Sequence, residues 1–151
     1  MAPPYVAVVG AGGEVPAELL ALAEAVGCEL ARHGAVVVTG GLGGIMEAAC
    51  RGARAAGATT LAILPGSDRT AANPFVDVAV ATGMGELRNG LVVRCADALV
   101  AVGGEYGTLS EIALALKAGK PVVGLGTWEI EGVRAAVDAR EAVAAALGAV
   151  A

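Results

Sequence analysis

Five short runs of nearly continuous apolar residues punctuate the chain: Tyr5 to Val9, Ala35 to Thr39, Thr60 to Leu64, Ala98 to Val102 and Pro121 to Leu125. None alternates polar with apolar positions, so each predicts a strand covered on both faces, as in a parallel sheet. Between them, longer Ala/Leu/Glu stretches of helical period predict helices over Pro16 to about His33, Gly44 to Ala56, Met84 to Arg94, Thr108 to Ala118 and Glu131 to Leu147. Gly34, Gly57, Gly119 and Gly148 stand where helix C-terminal caps commonly fall. Pro65 to Thr82 is the longest irregular segment. It carries Ser67, Asp68, Arg69, Asn73 and Pro74 and a short candidate strand over Val76 to Val80, and its length suits a ligand-facing loop. The alternation predicts an α/β, Rossmann-like three-layer sandwich with a mostly parallel sheet, formed as a single domain over residues 1–151.

Composition narrows the function classes. With 56% hydrophobic and 17% charged residues the chain can bury enough apolar surface to fold, which excludes disorder. A charge, Gly or Pro interrupts every apolar stretch well before the roughly 20 residues a bilayer span needs, so no membrane partner is expected. The N-terminus has no basic region followed by an apolar run, and the expected location is the cytoplasm. Cys28, Cys50 and Cys95 form an odd set without a close pair and read as reduced core or near-core thiols. The net charge of -5 argues against a nucleic-acid partner, which would need a broad basic surface. A small phosphorylated molecule needs only a local site.

Glycine marks where such a site would lie. The first strand runs into Gly10-Ala11-Gly12-Gly13, the second into Gly40-Gly41-Leu42-Gly43-Gly44, and the fourth into Gly103-Gly104-Glu105-Tyr106-Gly107. In parallel sheets ligands bind beyond the carboxyl ends of the strands, where helix N-termini present free amides and partial positive charge. Gly10, Gly12, Gly40, Gly41, Gly44, Gly103, Gly104, Gly107 and Thr108 are therefore the candidate phosphate contacts. The first turn taken alone is an ordinary tight turn, because it lacks the third glycine of the dinucleotide fingerprint. Several such turns on one sheet predict a shared cleft.

The runs Thr39-Gly40-Gly41-Leu42-Gly43-Gly44-Ile45-Met46-Glu47 and Gly103-Gly104-Glu105-Tyr106-Gly107-Thr108-Leu109-Ser110-Glu111, with Arg88 between them, resemble the LONELY GUY superfamily, formerly called lysine decarboxylase-like. The resemblance extends from the first strand to about Leu125. It is nearest to small bacterial proteins related to molybdenum cofactor carriers, which share the run Thr-Leu-Ser-Glu and an Arg-Asn pair like Arg88-Asn89. LONELY GUY enzymes release a base from a nucleoside 5'-monophosphate and carry the motif PGGxGTxxE. Against it, Gly104, Gly107, Thr108 and Glu111 match, Gly103 replaces Pro and Glu105 replaces the second Gly. The resemblance implies Arg88 and Glu111 as the catalytic pair, a homodimer, and no required cofactor. The carrier subgroup implies instead a non-catalytic protein that holds the molybdenum cofactor or a nucleotide. A lysine poised for a Schiff base is missing from the pattern, so the historical decarboxylase name finds no support.

The chemistry of these residues leaves alternatives open. Cleaving an N-glycosidic bond builds positive charge on the ribose and negative charge on the leaving base; Glu111 would serve the first and Arg88 the second. The bland reading makes Thr108 and Glu111 a capping box, with Thr at the N-cap, and makes Arg88 a surface or interface residue paired with Glu86 or another acid. Glu105 in the loop repels phosphate unless its side chain points away or meets a cation. Ile45 and Met46 read as packing a helix onto the sheet, and Glu47 receives no role. His33, the lone histidine, and Lys117 and Lys120 stand where they meet helix-terminal carbonyls; no metal site is expected. A phosphoribohydrolase and a non-catalytic carrier stand close together, ahead of a purely structural role.

Overall fold

The computed structural model describes residues 2–150. Seven parallel strands form one sheet: β1 (Tyr5–Val9), β2 (Val36–Thr39), β3 (Thr60–Leu64), β4 (Val78–Ala81), β5 (Ala98–Val102), β6 (Val122–Leu125) and β7 (Val133–Ala135), in the order β4-β3-β2-β1-β5-β6-β7. The helices are α1 (Ala17–Arg32), α2 (Ile45–Ala55), α3 (Asn89–Cys95), α4 (Tyr106–Lys117) and α5 (Ala139–Gly148). Two 3-10 turns, Arg69–Ala71 and Gly85–Arg88, complete the elements among the described residues.

Apolar continuity along the strands has a direct cause. In β1, Val6 and Val8 point to a core shared with α1, α2 and α5, whereas Ala7 and Val9 point to a second core with α3 and α4. In β5 the same division separates Ala98, Val100 and Val102 from Leu99 and Ala101. Both faces are covered, so neither register of side chains meets water.

Helix ends follow the glycine signals at three of four positions. Gly34, Gly57 and Gly119 have positive φ, and each is followed by a residue whose amide reaches back to an earlier carbonyl, as in Ala35 to Leu30, Ala58 to Ala53 and Lys120 to Ala115. Gly148 differs, since it is still helical and Ala149 caps α5. The helix expected over Glu131 to Leu147 is also corrected. Residues 133–135 pair with β6 as a seventh strand, and α5 starts only after Asp138, whose carboxylate accepts from the Glu141 amide. Gly132 at φ +100 and that Asp-x-x-Glu cap are the local signals for the break.

The strand order reverses at β1. β2 to β4 build outward on one side, and the chain then crosses through α3 to place β5 on the other. Adjacent connections leave β1 and β5 on opposite faces of the sheet, so a crevice opens between their carboxyl ends.

Candidate functional site

A cavity of about 130 Å³ occupies that crevice. Val8, Val9, Gly10, Ala11 and Gly12 enter it from the end of β1, Gly40 from β2, and Glu105, Gly107, Thr108 and Glu111 from the start of α4. Met46, Arg88 and Asn89 complete the wall. The elbows are glycine here because neighbours take the space of a side chain. A Cβ on Gly10 would lie 2.6 Å from Ile45 Cγ2, and one on Gly40 would lie 2.7 Å from the Arg88 guanidinium. The helices bordering the cavity also start without a side-chain cap: α2 follows Gly44 and α4 follows Glu105, and neither residue's side chain accepts a cap hydrogen bond. The first amide of α2, that of Ile45, donates to Ala11 O at 3.0 Å, whereas the first-turn amides of α4 depend on other acceptors.

Arg88 is buried, 9% exposed, and not paired with Glu86. Its Nε donates to Ile63 O at 2.9 Å, one terminal nitrogen donates to Asn89 Oδ1, and the other reaches Gly40 O at 3.5 Å. The guanidinium thus ties the ends of β2 and β3 to α3. Asn89 Nδ2 donates in turn to Ser110 Oγ at 3.3 Å, and that hydroxyl donates to Gly107 O at 2.6 Å, which extends the network to α4. Burial lowers the Arg88 pKa from its ordinary value, with Glu111 acting in the opposite sense.

Glu111 and Thr108 correct the capping-box reading. Glu105, not Thr108, is the N-cap of α4, so Thr108 lies inside the first turn and Glu111 in the next. The Glu111 carboxyl is buried, 8% exposed, and faces the cavity without a hydrogen bond to the rest of the described residues. Burial pushes its pKa up to about 7, against the downward pull of Arg88. Arg88 and Glu111 share one cavity, yet no direct ion pair joins them.

Four predicted glycines lie outside the cavity wall. Gly41 is turned away, its Cβ position filled by Ala62 and Leu64 and its amide donating to Thr39 Oγ1 at 3.0 Å. Gly44 lines a shallow depression of about 660 Å³ with Gly13, Glu47 and Arg51. Gly103 packs beside Leu19, and Gly104 lines an opening of about 170 Å³ that shares Ala11 and Glu105 with the cavity. Glu105 is exposed at that boundary.

Other expectations shift as well. The segment Pro65 to Thr82 does not line the cavity; its buried Asn73 donates from Nδ2 to Leu42 O at 3.0 Å and clamps the β2 elbow, while Asp68 caps its own 3-10 turn. Met46 packs as expected but also lines the cavity, with Cε 2.9 Å from the Cβ position of Gly12. Cys50 is buried, whereas Cys95 is exposed because α3 ends there at the protein surface. Asn89 was legible only as half of the Arg-Asn pair. Tyr106 and Trp128, which stack beside Glu105, carried no periodic signal; their rarity in a chain with 3% aromatic residues was the available clue.

A parallel Rossmann-like sheet with a cavity at its switch point defines the class: a small α/β protein with a crevice beyond its strand ends, where ligands of such folds bind. The chain belongs to the SLOG cluster4 family, whose sequence profile matches residues 3–148. It is 46% identical over 139 residues to an uncharacterized protein of Archaeoglobus fulgidus, covering 91% of each chain. The structure is similar to that of the molybdenum cofactor binding protein of the phototrophic bacterium Rippkaea orientalis, with a TM-score of 0.89, 35% identity and 93% of each chain covered. It is also similar to the molybdenum cofactor carrier protein of Chlamydomonas reinhardtii, with a TM-score of 0.87, 36% identity, and 97% and 98% of the two chains covered.

Proposed function

We propose that the chain binds and carries the molybdenum cofactor, gripping the cofactor's phosphate in the cavity at the ends of β1, β2 and β5. One observation carries this reading: glycines that follow three strands line a single cavity bordered by the start of α4, which lacks a side-chain cap. Such amides bind anions without any basic side chain, which suits a protein of net charge -5. Likeness to cofactor-binding proteins of two organisms supports the cargo.

The cavity fits the cofactor's phosphate end. The Cβ positions at Gly10, Gly12 and Gly40 are all crowded, so the backbone itself forms the wall. A volume of about 130 Å³ would admit a phosphate group but not the pterin. The cofactor carries its molybdenum on its own dithiolene sulfurs. The chain would then contribute the amides around Gly10, Gly12, Gly40, Gly107 and Thr108, with Arg88 in the wall bracing the elbows.

The test is calorimetric titration with purified molybdenum cofactor under anaerobic conditions, repeated on Gly40→Val, whose side chain would displace the Arg88 guanidinium and Met46. Saturable binding to the wild type that Gly40→Val abolishes supports the carrier. Equal binding by both chains removes the cavity from the account. A native-state ligand must also raise the melting temperature.

A second reading, hydrolysis of a nucleoside 5'-monophosphate as in the LONELY GUY enzymes, is favoured by one observation: Arg88 and Glu111 face one cavity, and the Glu111 carboxyl titrates near neutrality. Arg88 counts against it, since backbone carbonyls and Asn89 already engage its guanidinium. Incubation with AMP and chromatography for free base and ribose 5-phosphate decides the matter; turnover must vanish in Glu111→Ala. On either reading we place the protein in the cytoplasm as a homodimer, with the exposed Leu87, Leu91 and Leu114 around the neighbouring α3 and α4 as the contact face. Sedimentation equilibrium of Leu91→Glu tests that face.

A further inference from the structure

The chain has one Trp, two Tyr and one Phe, and two of these four rings are stacked beside the cavity. Tyr106, from the first turn of α4, and Trp128, from the loop after β6, have ring centroids 6.2 Å apart and planes 25° apart. Tyr106 is 82% exposed, so its ring adds little to core burial. Trp128 is anchored. Its Nε1 donates to Glu105 O at 3.3 Å, and it lies over Gly104, where a Cβ would stand 3.2 Å from Nε1 and 3.1 Å from Thr108 Cγ2. Glycine at 104 therefore makes room for the indole, and the indole backs the Tyr106 ring. Both chain neighbours of Tyr106, Glu105 and Gly107, line the cavity.

A firmly backed aromatic ring with a free face, placed one residue from an anion cavity, has the chemistry of a stacking surface. The geometry points to the Tyr106–Trp128 stack as the platform for the planar heteroaromatic ring of a phosphorylated ligand whose phosphate occupies the adjoining cavity. This rests on the anion reading of that cavity and adds the recognition of the ligand's other end. The ring chemistry is shared by pterins and purines.

Calorimetric titration of the intact chain with neopterin monophosphate, AMP and ribose 5-phosphate tests it, the last being phosphate and sugar without a ring. Tyr106→Ala should weaken the two ring-bearing ligands roughly tenfold or more and leave ribose 5-phosphate unchanged, while Tyr106→Phe restores wild-type affinity. Tighter binding of the pterin identifies the platform's ring as a pterin, and tighter binding of AMP identifies it as a purine. Because Tyr106 is exposed, an unchanged melting temperature in Tyr106→Ala confirms that folding is intact. If ribose 5-phosphate binds as tightly as the ring-bearing ligands, or Tyr106→Ala leaves all three affinities alone, the platform is overturned and the cavity reading stands. If none of the three binds the wild type, both fall together.

Discussion

The two rims of the sheet use the same residues for opposite ends. At the amino rim, where helices finish, surplus carbonyls find donors: Gly34, Gly57 and Gly119 let the chain turn back on α1, α2 and α4, and Lys120 Nζ donates to Val93, Arg94 and Ala96 at the end of α3. At the carboxyl rim, α2 and α4 start uncapped, and glycine serves close packing around a cavity. No Cβ contact within 4 Å awaits at Gly34, Gly57 or Gly119, whereas Gly10, Gly40 and Gly44 are hemmed in by side chains or backbone. One rim is closed by hydrogen bonds and the other opens on a cavity.

Gly44→Ala should break the carboxyl rim most severely. The residue has φ +61 and ψ -129, a region nearly confined to glycine, and its Cβ would run into the carbonyl of Ala11. Strain and overpacking together should cost about 4 kcal/mol and lower the melting temperature by roughly 10 °C. Calorimetry checks this; a loss below about 1 kcal/mol would show that the elbow relaxes and that space is not what glycine supplies there.

Glu111 sharpens the comparison through pH. Its folded pKa is raised to about 7 from an ordinary 4.5, so between those values the folded chain keeps a proton that the unfolded chain has lost. Stability is therefore highest from this group below pH about 4.5, falls as pH rises through 7, and is lower by about 3 kcal/mol above that. Urea unfolding of the wild type and Glu111→Gln across pH 4 to 8 isolates the effect. The gap between the two should grow with pH in favour of Gln. A constant gap means that the carboxyl titrates normally and the cavity is wetter than its burial indicates.

Legibility in the sequence followed the same division. Strands β1, β3 and β5 were readable to the residue because burial on both faces leaves an unbroken apolar run. Strand β7 was not, since Val133-Arg134-Ala135 is short, partly exposed and sits inside an Ala/Val/Glu pattern that also suits a helix. At the site, Gly10, Gly12, Gly40 and Gly107 were readable from their place after strands, and Arg88 and Glu111 from family resemblance. Which glycines face inward depended on tertiary contacts that no local pattern encodes: Asn73, from a distant loop, fixes the elbow so that Gly41 turns away. The start of α4 was misplaced by two residues, and that shift alone turned a supposed capping pair into two cavity-facing side chains.

Lys120→Met tests the closed rim. The ammonium stands 2.8, 3.1 and 2.6 Å from the carbonyls of Val93, Arg94 and Ala96, and Met keeps the stem while removing the donors. About 2 kcal/mol of stability should go, measured by urea unfolding, with ligand affinity untouched because Lys120 is at the opposite rim from the cavity. Weakened binding would mean that α3 transmits the loss to Arg88 and Asn89 at its other end.

Gly34→Ala has the smallest expected effect and discriminates most cleanly between the two uses of glycine. Its φ of +73 disfavours any residue with a Cβ, but no atom within 4 Å would meet that Cβ. The cost is then conformational alone, about 1 kcal/mol, and Gly34→Asn should recover part of it, because Asn tolerates the left-handed region better than Ala. Urea unfolding of both variants beside Gly44→Ala and Gly44→Asn makes the comparison. At position 44 Asn should be at least as damaging as Ala, since there the obstacle is the Ala11 backbone. If Asn rescued both positions alike, backbone conformation would govern both rims, and the packed, cavity-shaping role of the carboxyl-rim glycines would have to be abandoned.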